Sequence, residues 1–396
     1  MLAAMPDLDT LPPALQTWQD AIAQAARTHS CLQVRGLGSK CHVGHPAEGA
    51  WLDTTPWQGV EAYEPSELVL TVRAGTLLSE VEALLSSRGQ YLAFEPPHAA
   101  VPGAGTVGGM VASGLSGPAR AMRGAVRDHV LGVRMINGRG QYLRFGGTVM
   151  KNVAGFDVSR LMAGSMGTLG VLTEVSLKVL PQPVASLTLH GYMDQAQAIT
   201  CLNQWAAQPL PLDASCWYQG QLWLRLRGAR AAVEAAQVVL SQAGMTPWAH
   251  DADAFWQSVR DQQHAFFAPA HDLALWRVSL PGTHAPGLPG LPGQPVVQGD
   301  DWLIEWMGAQ RWWRTALPAA QVMAAAQAAG GHAQLWRAAG QADPHAVCLQ
   351  QAEVAQLAWQ QWPRVMQQWH RQVQHAFDPH GVFDTGRLWP RHTGHT

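Results

Sequence analysis

The chain has 396 residues, of which 47% are hydrophobic and 14% are charged. This length and composition exclude an intrinsically disordered chain and predict about two or three globular domains. The formal net charge of −2 provides no overall basic field, so we expect no nucleic-acid partner. The 18 tryptophans on a thinly charged chain predict aromatic contacts between domains or with another subunit.

The cysteines and the N-terminal residues indicate the cellular compartment. The five cysteines are odd in number and have no C-x-x-C spacing, which argues against a disulfide framework, a zinc knuckle and an iron–sulfur cluster. The N-terminal residues lack the pattern of a signal peptide, and no apolar run reaches the roughly 18 residues that a membrane span needs. We therefore expect a cytoplasmic protein that meets a membrane only peripherally, through partner subunits.

The first part of the chain is rich in glycine and predicts short helices and strands. Hydrophobic spacing predicts helices over Leu15–Thr28 and Leu77–Arg88, and strands over Leu32–Val34, Leu68–Arg73, Val130–Ile136, Gln141–Phe145 and Val171–Leu180. Asn137-Gly138, between two of these strands, is typical of a hairpin. Pro181 and Pro183 end the last strand, so we place a domain boundary at residue 183.

The second part of the chain, from residue 184 onward, shows a different sequence pattern. Its spacing predicts strands over Leu222–Arg227, Leu273–Leu280 and Trp302–Met307, and helices over Ala229–Gln242 and Glu353–Phe377. In the last helix, one face is expected to carry Met366, Trp369, Val373, Ala376 and Phe377. The stretch Pro281–Pro295 is a loop rich in Pro and Gly. The order of strands and helices predicts an α+β domain with an antiparallel sheet, and no internal repeat is visible.

Three loops hold clusters of glycine. They are Arg35–Lys40 (RGLGSK), Pro102–Gly109 (PGAGTVGG) and Gly164–Gly170 (GSMGTLG). A backbone without Cβ atoms can approach a diphosphate closely and turn several N–H groups toward it. Hydroxyl groups at Ser39, Thr106, Ser165 and Thr168 suit the same task. Glycines that only form tight turns are the alternative, but three such loops in one domain favour binding of an anion.

A literal dinucleotide fingerprint, G-x-G-x-x-G, occurs at residues 103–108. That motif needs a buried strand directly before it, and Pro96, Pro97 and Pro102 exclude such a strand. Asp128 follows at a suitable distance, but it precedes a strand instead of ending one. No GxxxxGK[ST] motif is present. The spacing therefore excludes both a Rossmann site and a P-loop.

The order of these motifs resembles the FAD domain of the vanillyl-alcohol-oxidase type flavoproteins. The likeness rests on the glycine loops at Arg35–Ser39, Gly105–Gly109 and Gly164–Glu174, on Val126–Val133, and on Phe377–Arg387, which is similar to that family's closing motif FDPxGxFNPG. Lys151–Met162 most resembles the E subunits of bacterial glycolate oxidases. The resemblance covers residues 15–183 and 376–388. Asp384-Thr385 departs from it, since Asn-Pro is usual there.

The resemblance implies an α+β fold in three parts. Residues 1–183 would form a PCMH-type FAD-binding domain of two α+β subdomains, and residues 184–375 a smaller α+β cap domain with an antiparallel sheet. The cap would serve the substrate or a subunit interface, and residues 376–396 would return to the FAD domain as a tail.

The resemblance also implies where FAD would bind. The diphosphate would lie against Arg35–Ser39 and Gly105–Gly109, and Gly164–Val171 would face the adenine and ribose. The expected cofactor-binding residues are Arg35, Gly36, Gly38, Ser39, Gly105, Thr106, Gly108, Gly109, Asp128, Gly164, Ser165, Gly167, Thr168, Gly170, Val171 and Arg387. Ser39 stands where some members carry the His that binds flavin covalently, so we expect non-covalent FAD. Arg387 could place positive charge near the flavin ring, with a surface ion pair as the alternative.

The implied function is that of an FAD-binding subunit of a multi-subunit glycolate oxidase or dehydrogenase. Such a complex oxidises glycolate, a 2-hydroxy acid, to glyoxylate and passes the electrons to an acceptor. Catalytic relatives carry the motifs Gly-Glu-His-Gly and His-x-Gly-Asp-Gly-Asn, and neither occurs in this sequence. We therefore expect two partners, a larger FAD-containing catalytic subunit and an iron–sulfur subunit, and no metal site in this chain.

No catalytic residue can be assigned from the sequence. Oxidation of a hydroxy acid needs a base for the hydroxyl proton and a cation for the carboxylate. The candidates in the second part are His264, His271, Arg225, Arg227 and Arg277, and they form no specific pattern. Two alternatives stay open: a self-sufficient FAD oxidoreductase acting on another alcohol or hydroxy acid, and a scaffold subunit that kept the fold without the cofactor.

Overall fold

The computed structural model describes residues 11–98, 105–148, 156–270, 272–289, 301–341, 349–389 and 391. The helices are α1 Pro13–Thr28, α2 Leu78–Ser86, α3 Val107–Ser113, α4 Arg120–Arg123, α5 Val126–His129, α6 Val158–Leu161, α7 Gln195–Ala206, α8 Arg230–Gln242, α9 Ala252–Arg260, α10 Ala319–Ala328, α11 Leu349–Gln361 and α12 Arg364–Phe377. The strands are β1 Leu32–Arg35, β2 Ala50–Asp53, β3 Val60–Glu64, β4 Val69–Arg73, β5 Gln90–Tyr91, β6 Val130–Ile136, β7 Tyr142–Gly146, β8 Val171–Lys178, β9 Leu180–Pro181, β10 Ala185–Tyr192, β11 Leu212–Tyr218, β12 Gln221–Gly228, β13 Thr246–Pro247, β14 Ala274–Ser279, β15 Trp302–Glu305, β16 Gln310–Thr315 and β17 His332–Arg337.

The glycine-rich part forms an antiparallel sheet with the order β3-β4-β8-β6-β7. Strand β8 lies in the middle, and nearly all of its residues are buried because elements cover both of its faces. Helices α2 and α3 supply Leu78, Val81 and Met110 to the core on one face, and α1 packs with Val171 and Ile136 on the other. A separate parallel pair, β1 and β2, lies beside α1.

A larger antiparallel sheet follows, with the order β13-β10-β12-β11-β15-β16-β14-β17. Its two halves repeat one arrangement. Strands β10 to β13 have the order β13-β10-β12-β11 from one edge, and β14 to β17 have the matching order β17-β14-β16-β15 from the other edge. The halves meet at the pairing of β11 with β15. This duplication of strand order has no visible counterpart in the sequence.

Most of the tryptophans in the second sheet are core residues. Trp276, Trp302 and Trp313 are among the largest fully buried side chains, and the rings of Trp302 and Trp313 stack with centroids 4.7 Å apart. The prediction of contacts with other domains or subunits is therefore wrong for these three. Trp306 does reach the first part of the chain, because its Nε1–H donates to the Gly117 carbonyl at 3.0 Å.

The predicted hairpin is confirmed, and its turn also receives the C-terminal tail. Strands β6 and β7 pair antiparallel, and the residue with a left-handed backbone is Gly140, with φ 73°. Gly138 serves a different purpose. A Cβ atom there would lie 2.1 Å from Oδ1 of Asp378, and its N–H donates to the Phe377 carbonyl at 3.0 Å. The tail can therefore approach the turn only because residue 138 is glycine.

The single long helix predicted over Glu353–Phe377 is wrong. Pro363 divides it into α11 and α12, because proline has no N–H to donate and its φ of −53° suits the start of a new helix. The predicted apolar face is divided as well. Val373 and Phe377 pack against the first sheet's core, whereas Met366 and Trp369 are 37% and 57% exposed.

A buried ionic cluster joins the two sheets. Asp213 on β11 is fully buried, and its carboxylate accepts from Nε of Arg225 at 2.6 Å and from Nε of Arg123 at 2.7 Å. Glu95, in the first part of the chain, accepts from Arg225 and from Nη1 of Arg227. Burial alone would raise the pKa of Asp213, but the three guanidinium groups lower it below its usual value.

Among the described residues, no helix is long and apolar enough to cross a lipid bilayer.

Candidate functional site

A deep cleft lies where all the glycine loops meet. Its lining comes from the three glycine loops, from strand β1 and helix α3, and from the C-terminal tail. One wall is strand β1 with the loop that follows it, and the opposite wall is α3 with the loop before β8. The predicted cofactor residues that line it are Arg35, Gly36, Gly38, Ser39, Gly105, Thr106, Gly108, Gly109, Ser165, Gly167, Gly170 and Arg387.

The glycines allow the walls of the cleft to come very close together. A Cβ atom on Gly36 would lie 2.4 Å from Oγ1 of Thr106, and one on Gly108 would lie 2.9 Å from Cβ of Ala74. Gly38 has φ +72°, a backbone conformation that other residues rarely adopt. Any larger side chain at these positions would separate the loops. At these positions, therefore, no Cβ atom keeps a diphosphate from the backbone amides of the cleft.

The side-chain charge of the cleft is positive. Arg35, Lys40 and Arg387 line it, and no Asp or Glu does so in the part of the chain that the structure describes. The Arg35 guanidinium lies over the ring of Trp51, 3.7 Å from its centroid. Burial lowers the pKa of Lys40 to about 8, although Asp261 opposes the shift.

Arg387 is held in the cleft by backbone groups, and no ion pair of the described residues involves it. Its Nη2 donates to the Lys40 carbonyl at 2.9 Å, and its own carbonyl accepts from the His45 N–H at 2.9 Å. The C-terminal tail therefore brings a cation to the end of the first glycine loop. Burial lowers the pKa of Arg387 from its ordinary value.

Four of the predicted cofactor residues lie outside the cleft lining. Oδ2 of Asp128 accepts from the Ala125 N–H at 2.8 Å and caps α5. Val171 is buried in the core under α1. Gly164 and Thr168 shape the loop before β8, where the Thr168 hydroxyl donates to the Ser165 carbonyl at 2.7 Å. Residues 102–104 and 151–155 of the quoted motifs lie outside the described residues.

Sequence reasoning missed several residues of the cleft. They include Lys40, Cys41, Trp51, Thr54, Met110, Ser113 and Thr385. Lys40 directly follows Ser39, so its position at the end of the first glycine loop is a signal from which its place in the cleft could have been predicted. Trp51 and Thr54 carried no such signal, because only the parallel pairing of β2 with β1 brings them to the cleft.

The candidate base and cation residues of the second part lie away from the cleft. Arg225 and Arg227 belong to the ionic cluster, and Nδ1 of His264 accepts from the Phe266 N–H at 3.2 Å. His271 lies outside the described residues. Arg277 lies in the large sheet, where its Nε donates to Oε1 of Gln310 at 2.7 Å. No group of three or more His, Cys, Asp or Glu side chains in the described ranges could hold a metal ion.

Comparison with known proteins identifies the first part of the chain. A family model described as an FAD binding domain matches residues 6–146. The chain is also 41% identical over 374 residues to the glycolate oxidase subunit GlcE of Escherichia coli K12, which spans 94% of this chain and 97% of that protein. The chain belongs to the GlcE family. The predicted family, FAD-binding domain and oxidoreductase class are thereby confirmed.

More distant relatives share the first part or the fold alone. The glycolate oxidase subunit GlcD of Bacillus subtilis is 33% identical over 201 residues, which cover 47% of this chain and 42% of that protein. A solved structure of alkyldihydroxyacetonephosphate synthase matches with a TM-score of 0.58 at 14% identity, covering 94% of this chain and 76% of that one. This likeness confirms the predicted fold class.

The residues of the cleft fit the cofactor of this family. FAD carries an anionic diphosphate, and the cleft offers close backbone approach at Gly36 and Gly108 together with cations at Arg35, Lys40 and Arg387. Trp51, which lines the cleft, adds an exposed aromatic ring.

Proposed function

We propose that this chain is the FAD-binding subunit of a complex that oxidises glycolate to glyoxylate. The observation that supports this most strongly is the combination of near full-length likeness to a glycolate oxidase subunit with a positively charged cleft built on three glycine loops. When bound, FAD supplies a two-electron acceptor for the oxidation of a C–H bond.

In this proposal the cleft residues hold FAD without a covalent bond. The backbone around Gly36, Gly38 and Gly109 would lie against the diphosphate, and Lys40 and Arg387 would neutralise its charge. The opposite wall, at Ser165, Gly167 and Gly170, would contact the adenine and ribose. Ser39 cannot form the histidyl bond to flavin that some members make. Asp128, Gly164, Thr168 and Val171 would support the site from outside the lining.

The proposal also assigns a role to each part of this chain and to each partner subunit. Residues 1–183 would bind FAD, 184–375 would form the cap, and 376–396 would return to the FAD domain. A larger FAD-containing subunit would carry the catalytic histidines, and an iron–sulfur subunit would accept the electrons. The exposed Trp362, Met366 and Trp369 suit a chain that works in contact with other subunits. The complex would be cytoplasmic, meeting the membrane peripherally.

Turnover of glycolate with and without the partner subunits tests this proposal. We expect the chain purified alone to contain FAD and to reduce no artificial electron acceptor when glycolate is added. Co-expression with the other subunits of the complex should restore turnover. Steady turnover by the chain alone would instead identify a self-sufficient oxidoreductase and overturn the assignment as a dependent subunit.

A further inference from the structure

A groove and an exposed helix face form one continuous surface where α11 meets α12. Residues of α10, β17 and α11 line the groove, and its volume is about 510 Å³. Its apolar lining includes Met323, Leu335, Val354 and Trp359. Trp362, at the junction of α11 and α12, lines the groove and also begins the exposed face. The groove and this face together are called the elbow surface.

The exposed face of α12 is apolar at helical spacing. Val365, Met366 and Trp369 lie on one side of the helix, and Trp362, just before the helix, continues the same spacing of three and four residues. Trp369 is 57% exposed, and Val365 is 49% exposed. One turn further along the same side, Val373 packs against the core of the first sheet. This chain therefore covers the C-terminal end of the apolar side of α12 and leaves the N-terminal end uncovered.

The charge around the elbow surface has one sign. From Val354 to Phe377 the sequence contains Arg364 and Arg371 and no Asp or Glu. Both arginines lie at exposed positions of α12. Arg387 lines the groove, and no Asp or Glu does so in the described part of the chain. A positive local field attracts a partner whose contact surface is negatively charged.

The groove also shares residues with the end of the FAD cleft. Arg387 lines both, and the His45 N–H donates to the Arg387 carbonyl at 2.9 Å. Gly44 and His45, which follow the first glycine loop, line the groove next to Arg387. A protein seated in the groove would therefore contact the segment that closes the end of the cleft. This continuity favours a partner that exchanges electrons with the FAD of this chain.

We propose that the elbow surface is the docking site of the electron-accepting iron–sulfur subunit, which meets it with an acidic surface that also carries apolar side chains. The inference rests on the proposed function for the identity of the partner. Clusters held by cysteine thiolates add negative charge to such a protein. The exposed apolar face extends beyond the groove, so a small molecule in the groove would leave it uncovered.

Within this docking site, the two exposed indoles have the role of anchors. Tryptophan and arginine are the residue types that most often dominate the binding energy of protein interfaces. Trp362 would fill the junction between the groove and the helix face, and Trp369 would enter the partner's surface. Arg364 and Arg371 would attract the acidic partner through the local field.

Pairwise co-expression tests the proposal. The full chain, carrying an affinity tag, would be co-expressed either with the iron–sulfur subunit or with the larger flavin subunit, and the partner and iron recovered per chain would be measured. Trp369→Gln removes an exposed ring, and we expect about tenfold less iron–sulfur subunit to be recovered while recovery of the flavin subunit is unchanged. Val238→Gln, which replaces an exposed apolar side chain of α8, is the matched control and should behave like the unaltered chain.

A second pair of variants tests the charge of the elbow surface. Arg364 and Arg230 are exposed, and each is the first residue of its helix, α12 and α8. Glutamate is favoured at a helix N-terminus, so Arg364→Glu and Arg230→Glu should both fold. We expect only Arg364→Glu to lower recovery of the iron–sulfur subunit and to reduce the loss of that subunit caused by added salt. Equal behaviour of the two variants would overturn the role of charge.

Other occupants of the elbow surface would give different results, and each would overturn the proposal. Loss of the flavin subunit from Trp369→Gln, with the iron–sulfur subunit retained, would assign the surface to the flavin subunit. A dimer of the chain alone that Trp369→Gln dissociates would assign it to a second copy. Sedimentation of the unaltered chain, but not of Trp369→Gln, with phosphatidylglycerol vesicles would assign it to a lipid surface.

Failure of this proposal can be distinguished from failure of the proposed function. A FAD-loaded chain that retains no iron–sulfur subunit, or retains it equally in Trp369→Gln, would overturn the docking site and leave the assignment as an FAD-binding subunit standing. Absence of FAD from the folded chain would count against the proposed function. Recovery of the iron–sulfur subunit that depends on Trp369 would still support the docking site in that case.

Discussion

Lys40 is the residue whose protonation we expect to depend most on the cofactor. Its pKa is lowered to about 8 by burial, and a bound diphosphate would raise it again by stabilising the charged form. Below about pH 8 the lysine is already protonated, so binding needs no proton. Above that pH binding must take up a proton, and the FAD affinity should fall by up to about tenfold per pH unit.

Fluorescence titration of the FAD-free chain between pH 7 and pH 9.5 measures this effect. In Lys40→Met the affinity should be lower at pH 7 and should lose the fall above pH 8. An identical pH dependence in the variant and the unaltered chain would show that another group is responsible.

Gly36 tests how closely the two walls of the cleft must approach. Gly36→Ala places a methyl group where Oγ1 of Thr106 lies 2.4 Å away, so the loop must shift and its backbone amides with it. We expect at least about tenfold weaker FAD binding. Gly147→Ala is the matched control, because a Cβ there meets nothing within 4 Å and no left-handed backbone is required. Equal FAD affinity in both variants would contradict this account of the cleft.

At the scale of elements, the ionic cluster is the contact that we expect to hold the two sheets together. Asp213→Asn removes a fully buried carboxylate that faces Arg123, Arg225 and Arg227, leaving only Glu95 against three cations. Breaking a buried pair in this way typically costs about 3–5 kcal/mol. Thermal unfolding followed by circular dichroism should show a clear drop in the melting temperature.

The control for this prediction is an exposed pair of the same chemistry. Nη1 of Arg391 lies 3.0 Å from Oε2 of Glu48, and that carboxylate is 74% exposed. Glu48→Gln should cost no more than about 1 kcal/mol. A melting temperature that falls equally in both variants would mean that burial of Asp213 adds nothing.

The sequence predicts the individual helices and strands better than it predicts which strands pair with each other. Local signals predict three elements: alternating apolar residues predict β4 and β8, and a glycine marks the end of α2. The structure has these elements within a few residues of the predicted bounds. The duplicated strand order of the large sheet depends on pairings between distant strands, such as β11 with β15, which no local pattern reports. Pro363 is a local signal for a break between two helices, but the hydrophobic periodicity around it predicts one continuous helix.

The same limit applies to the site. The glycine loops predict an anion-binding cleft because the residue type itself is needed for close backbone approach. Trp51 comes to the cleft only through the parallel pairing of β2 with β1, and no local sequence pattern reports that pairing.

At the scale of the whole molecule, the segment 378–387 packs against the first helix and the first strand of the described chain. Val382 and Phe383 are buried against α1, and the Leu32 N–H donates to the Val382 carbonyl at 2.8 Å. The tail then brings Arg387 to the first glycine loop. Assembly of the cleft therefore depends on residues that are more than 300 positions apart.

The visible absorption spectrum of the purified chain, followed by acid precipitation, tests the central claim most directly. We predict a flavin band from the folded protein, with the yellow colour released into the supernatant because Ser39 cannot bond covalently to the flavin. Folded protein without a flavin band would contradict the claim and favour a scaffold subunit. Flavin retained in the precipitate would contradict non-covalent binding.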